Sequence, residues 1–330
     1  MKDDSSDLLG DAEIVELSRA LGDDYAAYGL NPPPKPKEAF REAFREAFRE
    51  AFREAFREGY RAGLARHARP RGTDRFERKW LQLRFQALVR GRAVSKDVTV
   101  DFLQFLDVPV CPITLMPLTH GKLKPSDWSI DRLNNNGAYA TPNLAVISLH
   151  ANKAKGAKGL DEVRKLSERE GPVGGLTPKE WARMAATMFA PCYAESGEGW
   201  PIRQVAPLQE LSLRVHWQVF QDYLVQSAMG LNPSRVMPLP LFLERLPNNQ
   251  LRSAVKIMTS LIRERSCSLA SPFDVWFSDD LFDRYKVFHE FLCQCTDNDP
   301  LRVMKSSYIN IPLNERLIAD LRWKKKGYLN

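Results

Sequence analysis

A mainly helical chain with one small strand-strand-helix module set between helical regions is the fold class that the sequence predicts, on three observations. Apolar residues recur at i, i+3 and i+4 over most of the 330 residues. A four-residue unit repeats without a break from 38 to 61. Only between Cys111 and Gly159 does the pattern change, to two short apolar runs around an Asn-Gly turn and then a basic helix.

Taken in order, residues 8–20 predict one short amphipathic helix with Leu8, Leu9, Ile14, Val15 and Leu17 on its apolar side. The run NPPPKP from Asn31 to Pro36 stops any helix and makes a stiff linker, which closes a first segment at 1–36. The repeat follows in segment 37–66: EAFR five times from Glu38 to Arg57, then EGYR. Ala, Glu and Arg favour a helix, and each Glu three residues before an Arg adds ~0.2–0.5 kcal/mol. One continuous helix from about Glu38 to Arg66 is therefore expected, with Gly59 and Gly63 loosening its end. A four-residue step overshoots a helical turn by ~40°, so Phe40, Phe44, Phe48, Phe52, Phe56 and Tyr60 wind round the axis and no straight partner buries all six. The repeat reads either as a solvent-washed helix or as a surface for self-association.

A third segment, 67–190, opens on a basic helical stretch. Between Arg61 and Arg92 ten Lys and Arg face only Asp74 and Glu77, with Phe76, Trp80, Leu83, Phe85, Leu88 and Val89 interleaved at helical spacing. Such an outer face attracts a phosphate backbone, and Arg78 and Lys79 are its candidate contacts. In 111–159 a turn-rich lead-in precedes an apolar strand, Trp128, Ile130 and Leu133, that carries Asp131 and Arg132. Asn134, Asn135, Asn136 and Gly137 make the turn, Leu144 to Leu149 the second strand, and Ala-Asn-Lys-Ala-Lys after His150 a basic helix closed by Gly156 or Gly159. Thr177-Pro-Lys-Glu180 is a capping box that starts a helix through Trp181, Met184 and Met188. Residues 191–206 read as the boundary of a helical C-terminal region, 191–330, with helical runs at 211–229, 251–265 and 273–295. His289, Cys293, Cys295 and Cys267 lack zinc-site spacing and read as core residues; the ending RWKKKGYLN reads as a solvated tail.

Composition bounds the function. At 44% hydrophobic and 27% charged the chain is globular, with length for two or three domains. A net charge of +7 suits a polyanionic partner. Five cysteines without a repeating spacing argue against a disulfide framework, and acids near the N-terminus with no run near the ~20 apolar residues of a membrane span predict a cytoplasmic protein with no membrane partner.

The order Asp131, Asn143, Asn152, Lys155, within SIDR, GAY, PNLAVIS and ANKAKG, resembles the HNH endonuclease family. The resemblance is confined to residues 111–159 and implies a ββα-metal fold that grips one divalent cation between a hairpin and a helix. Carried over by position, Asp131 and Asn152 are the metal ligands, Asn143 fixes the loop, and Lys155 faces a phosphate, with Lys153 and Lys158 as neighbouring DNA contacts. Mg²⁺ is the expected cofactor, with Mn²⁺ as its substitute.

Two departures qualify what the resemblance implies. The family's histidine base is replaced by Arg132, whose guanidinium cannot give up a proton. Some members share that Asp-Arg pair. The base then falls to His120, His150 or bulk water, and losing a positioned base lowers a rate by ~10²–10⁴. Arg132 suits a clamp on the scissile phosphate. The zinc knuckles of many members are reduced here to Cys111, with Thr114, Ser148 and Ala151 in the other slots, so no structural zinc is expected and Cys111 reads as a buried apolar residue. The function expected from the resemblance is a metal-dependent endonuclease acting on DNA. The alternatives are an inactive HNH-fold DNA-binding or assembly module, and a structural oligomer built on the repeat.

Overall fold

The computed structural model describes residues 9–33, 46–92, 94–189, 192, 203–207, 216–296 and 303. The repeat units from 38 to 45 and the tail RWKKKGYLN lie outside them. The chain divides into two compact units, Met1–Asp107 with Gly137–Asn143, and Val108–Asn136 with Leu144–Asn330. The architecture is mainly helical with one two-stranded antiparallel sheet.

The first unit is built on α1 (Asp11–Ala27), α2 (Glu46–Arg66), α3 (Arg75–Val89) and the short α4 (Val100–Leu106). Helix α1 runs seven residues past its expected end at 20 and stops where Gly29 takes φ +66°. Gly22 is a packing residue: a Cβ there would collide with the Phe56 carbonyl oxygen, as one on Gly59 would with that of Arg19. The two helices thus touch backbone to backbone. Arg19 and Glu58 pair at 2.9 Å, and Arg66 and Asp23 at 3.0 Å, across the seam. Phe52 and Phe56 are buried, and each meets Phe85 of α3 edge to face, at 5.4 and 5.7 Å; Phe56 meets Tyr25 of α1 in the same way at 5.4 Å. The described part of the repeat is therefore a core helix on its Phe52/Phe56 side, which corrects the solvent-washed reading. Those aromatic contacts also place α3, grouped with the hairpin on sequence grounds, in the first unit. Helix α2 ends at Arg66, as expected, and the basic stretch resumes as helix at Arg75, beyond Pro70 and Gly72.

In the second unit β1 (Trp128–Arg132) pairs antiparallel with β2 (Leu144–Ser148), and α5 (Leu149–Lys155), α6 (Leu160–Ser167) and α7 (Pro178–Phe189) follow. Ser148 caps α5 by accepting from Ala151 N at 3.1 Å. The expected capping box starts α7: Glu180 accepts from Thr177 N at 2.7 Å and Thr177 Oγ1 from Glu180 N at 3.3 Å. Ala145 and Ile147 of β2 pack with Cys111, Ala151, Val163, Trp181 and Met184 in one core. A second core joins α8 (His216–Met229), α9 (Leu239–Glu244), α10 (Asn249–Ser266), a 3₁₀ turn (Pro272–Phe277) and α11 (Asp279–Cys295) around Phe220, Tyr223, Phe242, Trp276 and Tyr285. Helix α7 falls in the same compact unit as these helices. Ala186 of α7 belongs to their core, Gln218 donates to its carbonyl at 2.9 Å, and Arg183 grips both oxygens of buried Asp274 at 2.8 Å. Among the described residues no helix is long and apolar enough to cross a membrane.

Candidate functional site

Alternation along β1 fixes which side chains share a face. Ser129 and Asp131 project to one side, opposite their cross-strand partners Ile147 and Ala145, and Trp128, Ile130 and Arg132 project to the other. The first side is the core side. Helix α5 covers it with Ala151, which packs against Ala145 and Ile147. Asn152 and Lys155, three residues apart on α5, fall on one helix face and meet the strand in register. Asn152 Nδ2 donates to Ser129 Oγ at 2.7 Å, and Lys155 Nζ lies 3.0 Å from Asp131 Oδ2. The strand and helix thereby bring Asp131 and Asn152 to opposite sides of one narrow seam.

The seam is nearly closed to water at Asp131 and Lys155, and half-open at Ser129 and Asn152. Asp131 is 6% exposed and Lys155 not at all. Burial pushes the Asp131 carboxyl above its ordinary range, and the Lys155 ammonium opposes that rise. Oδ2 is buried, and the Lys155 ammonium at 3.0 Å pairs with it as an ion. The ammonium donates to Arg132 O at 2.7 Å and Asn135 Oδ1 at 3.2 Å. Asn135 in turn donates to Gly156 O at 3.3 Å and Lys158 O at 3.4 Å, which ties the hairpin turn to the end of α5. Neither Ser129 nor Asn135 stood out in the sequence. A turn asparagine and a strand serine carry no signal until the helix is laid over them.

Several expected roles change on this geometry. Lys155 does not face a phosphate, because its ammonium is buried on Asp131. His150 turns away: its Nε2 lies 3.0 Å from Gly175 O, and its ring packs so closely that a Cβ on Gly175 would stand 2.8 Å from Cε1. His120 packs edge to face on Trp128 at 5.1 Å, on the strand face opposite Asp131. Neither histidine is placed as a base beside Asp131. Asn143 is buried in the first unit, where its Nδ2 donates to Ala138 O at 3.0 Å and closes the 138–143 loop. Lys153 is exposed on α5, whereas Lys158 donates back to Ala154 O at 3.1 Å. Arg78 is exposed on α3, its Nε donating to Thr73 Oγ1 at 3.1 Å, and Lys79 beside it is half-buried.

A brace that the sequence did not single out holds the lead-in to β1. Asp127 accepts from Thr119 Oγ1 at 2.6 Å and from Lys122 N at 3.1 Å, and the Thr119 hydroxyl above all holds its carboxyl below the ordinary range. Elsewhere in this unit His289 stacks on Trp217 at 4.2 Å, with Cys293 Sγ 3.7 Å from its Nδ1, and burial pushes that thiol up; His289 is buried, but Cys293 and Cys295 are half-buried and Cys267 is exposed, which corrects the core reading of the three cysteines.

A hard divalent cation takes oxygen ligands. One buried carboxylate and one amide across the seam are the right donor chemistry. Among the described residues no three His, Cys, Asp or Glu side chains are grouped to hold a metal, so the candidate site rests on these two side chains. No protein family, curated protein or solved structure matches the chain.

Proposed function

We propose that the chain is a metal-dependent endonuclease of the HNH type, acting on DNA phosphodiesters through β1, β2 and α5. The observation that carries this reading is the strand-helix seam with Asp131 on one side and Asn152 on the other, bridged in register by the Ser129 and Lys155 contacts. Asp131 and Asn152 would hold Mg²⁺ or Mn²⁺. A cation there supplies Lewis-acid stabilisation of charge on the leaving oxygen. Arg132 offers a planar guanidinium for the phosphate, and exposed Lys153 adds a backbone contact. The attacking water comes from bulk solvent, since His150 is held on Gly175 O and His120 packs on Trp128 on the strand face opposite Asp131.

That last observation favours a second reading, a DNA-binding or assembly module without turnover. Supercoiled plasmid incubated with Mg²⁺ or Mn²⁺ separates the two. Nicking by the wild type, reduced ~10²-fold or more in a folded Asp131→Asn, supports the nuclease, as losing several kcal/mol of charge stabilisation requires. A gel shift with no cleavage under either metal supports the binding module.

A further inference from the structure

We infer that Lys155 is an internal counter-ion that competes with a divalent cation for Asp131, so that metal enters the seam only when the ammonium is displaced. The inference rests on the nuclease reading for the identity of the ligand and goes beyond it in assigning the control of entry. Lys155 is fully buried, and its Nζ lies 3.0 Å from Asp131 Oδ2, a buried carboxylate oxygen. The ammonium thus stands at the oxygen that a cation would need. Two positive charges at one buried carboxylate repel strongly in a poorly screened seam.

Lys155 is also anchored independently of Asp131. Arg132 O at 2.7 Å and Asn135 Oδ1 at 3.2 Å accept its protons, and Asn135 clamps Gly156 and Lys158 at the end of α5. Displacing the ammonium therefore loosens the turn and the helix terminus together. A ligand that does so must supply its own attraction for Asp131, which a divalent ion's double charge provides.

Manganese binding to the full chain, read by electron paramagnetic resonance and isothermal titration without DNA, tests this. Lys155→Met keeps the aliphatic stem and removes the charge; it is expected to bind Mn²⁺ at least about tenfold tighter than the wild type, and Asp131→Asn in that background to abolish the gain. Asn135→Ala keeps the ammonium but removes one anchor, so it tests the idea even where Lys155→Met fails to fold, with an expected gain of about threefold. A folded Lys155→Met with wild-type affinity overturns the inference. So does an unchanged Asn135→Ala where the methionine variant does not fold. Tight wild-type binding that neither variant alters overturns this inference and leaves the nuclease reading standing; absence of Mn²⁺ binding in all of them overturns both.

Discussion

Asp131 and Lys155 are both nearly or wholly removed from solvent, so the energetics of each depends on the other. Removing one partner of a buried pair leaves an uncompensated charge and is expected to destabilise by about 3–5 kcal/mol, whereas replacing both by apolar groups of similar shape is near neutral. Asp131→Leu and Lys155→Met should each lower the unfolding midpoint in urea, and the double variant should recover most of the loss. Asp127 makes a second case, with its sign fixed by hydrogen bonding. Its folded carboxyl is held below the ordinary range by Thr119 and by backbone amides, so its contribution is fully present above about pH 4, the unfolded value, and is lost as pH falls through the lower folded value. Thermal unfolding of Asp127→Asn and wild type in a pH series should converge on the acid side and diverge above it.

The α1/α2 seam turns on glycine. Alanine normally favours a helix over glycine by ~1 kcal/mol, yet Gly59→Ala drives a Cβ into the Arg19 carbonyl, and neither backbone can yield without parting the helices. Overpacking of this kind costs about 1–3 kcal/mol or more. Gly72 supplies the control, since a Cβ there meets nothing within 4 Å and alanine should fall within about 0.5 kcal/mol of wild type. Calorimetry on the two variants should separate them clearly. Equal melting temperatures would mean that α1 and α2 do not pack as described.

Across the whole molecule the excess of 48 Lys and Arg over 41 Asp and Glu is modest, so DNA affinity depends on where the cations are exposed. Of the three lysines on or just after α5 proposed for DNA, Lys155 is buried, Lys158 donates back to the helix, and Lys153 is left exposed. Lys153→Gln is accordingly expected to weaken DNA binding uniformly across sequences and to reduce the slope of log K against log salt by about 0.9, one phosphate contact. Lys158→Gln should change that slope less. Fluorescence anisotropy at several salt concentrations checks both, and equal slopes in wild type and Lys153→Gln would remove Lys153 from the interface.

The elements themselves were legible in the sequence: the strand pair about the Asn-Gly turn, the helix that follows it, the Thr177/Glu180 cap and the helical C-terminal run all follow from local periodicity and capping chemistry. Local pattern also located Asp131 and Asn152 on a strand and a helix that face each other. It could not assign partners, because a charge or a glycine looks the same whether it meets water or another backbone. Gly22 and Gly59 became contact residues, Phe52 and Phe56 of the repeat became core, and Lys155 became a counter-ion only when a second element came within a few ångströms. Secondary structure answers to interactions within about four residues of the chain, which the sequence displays directly. Burial and pairing answer to approach between distant segments, and only the tertiary structure decides them.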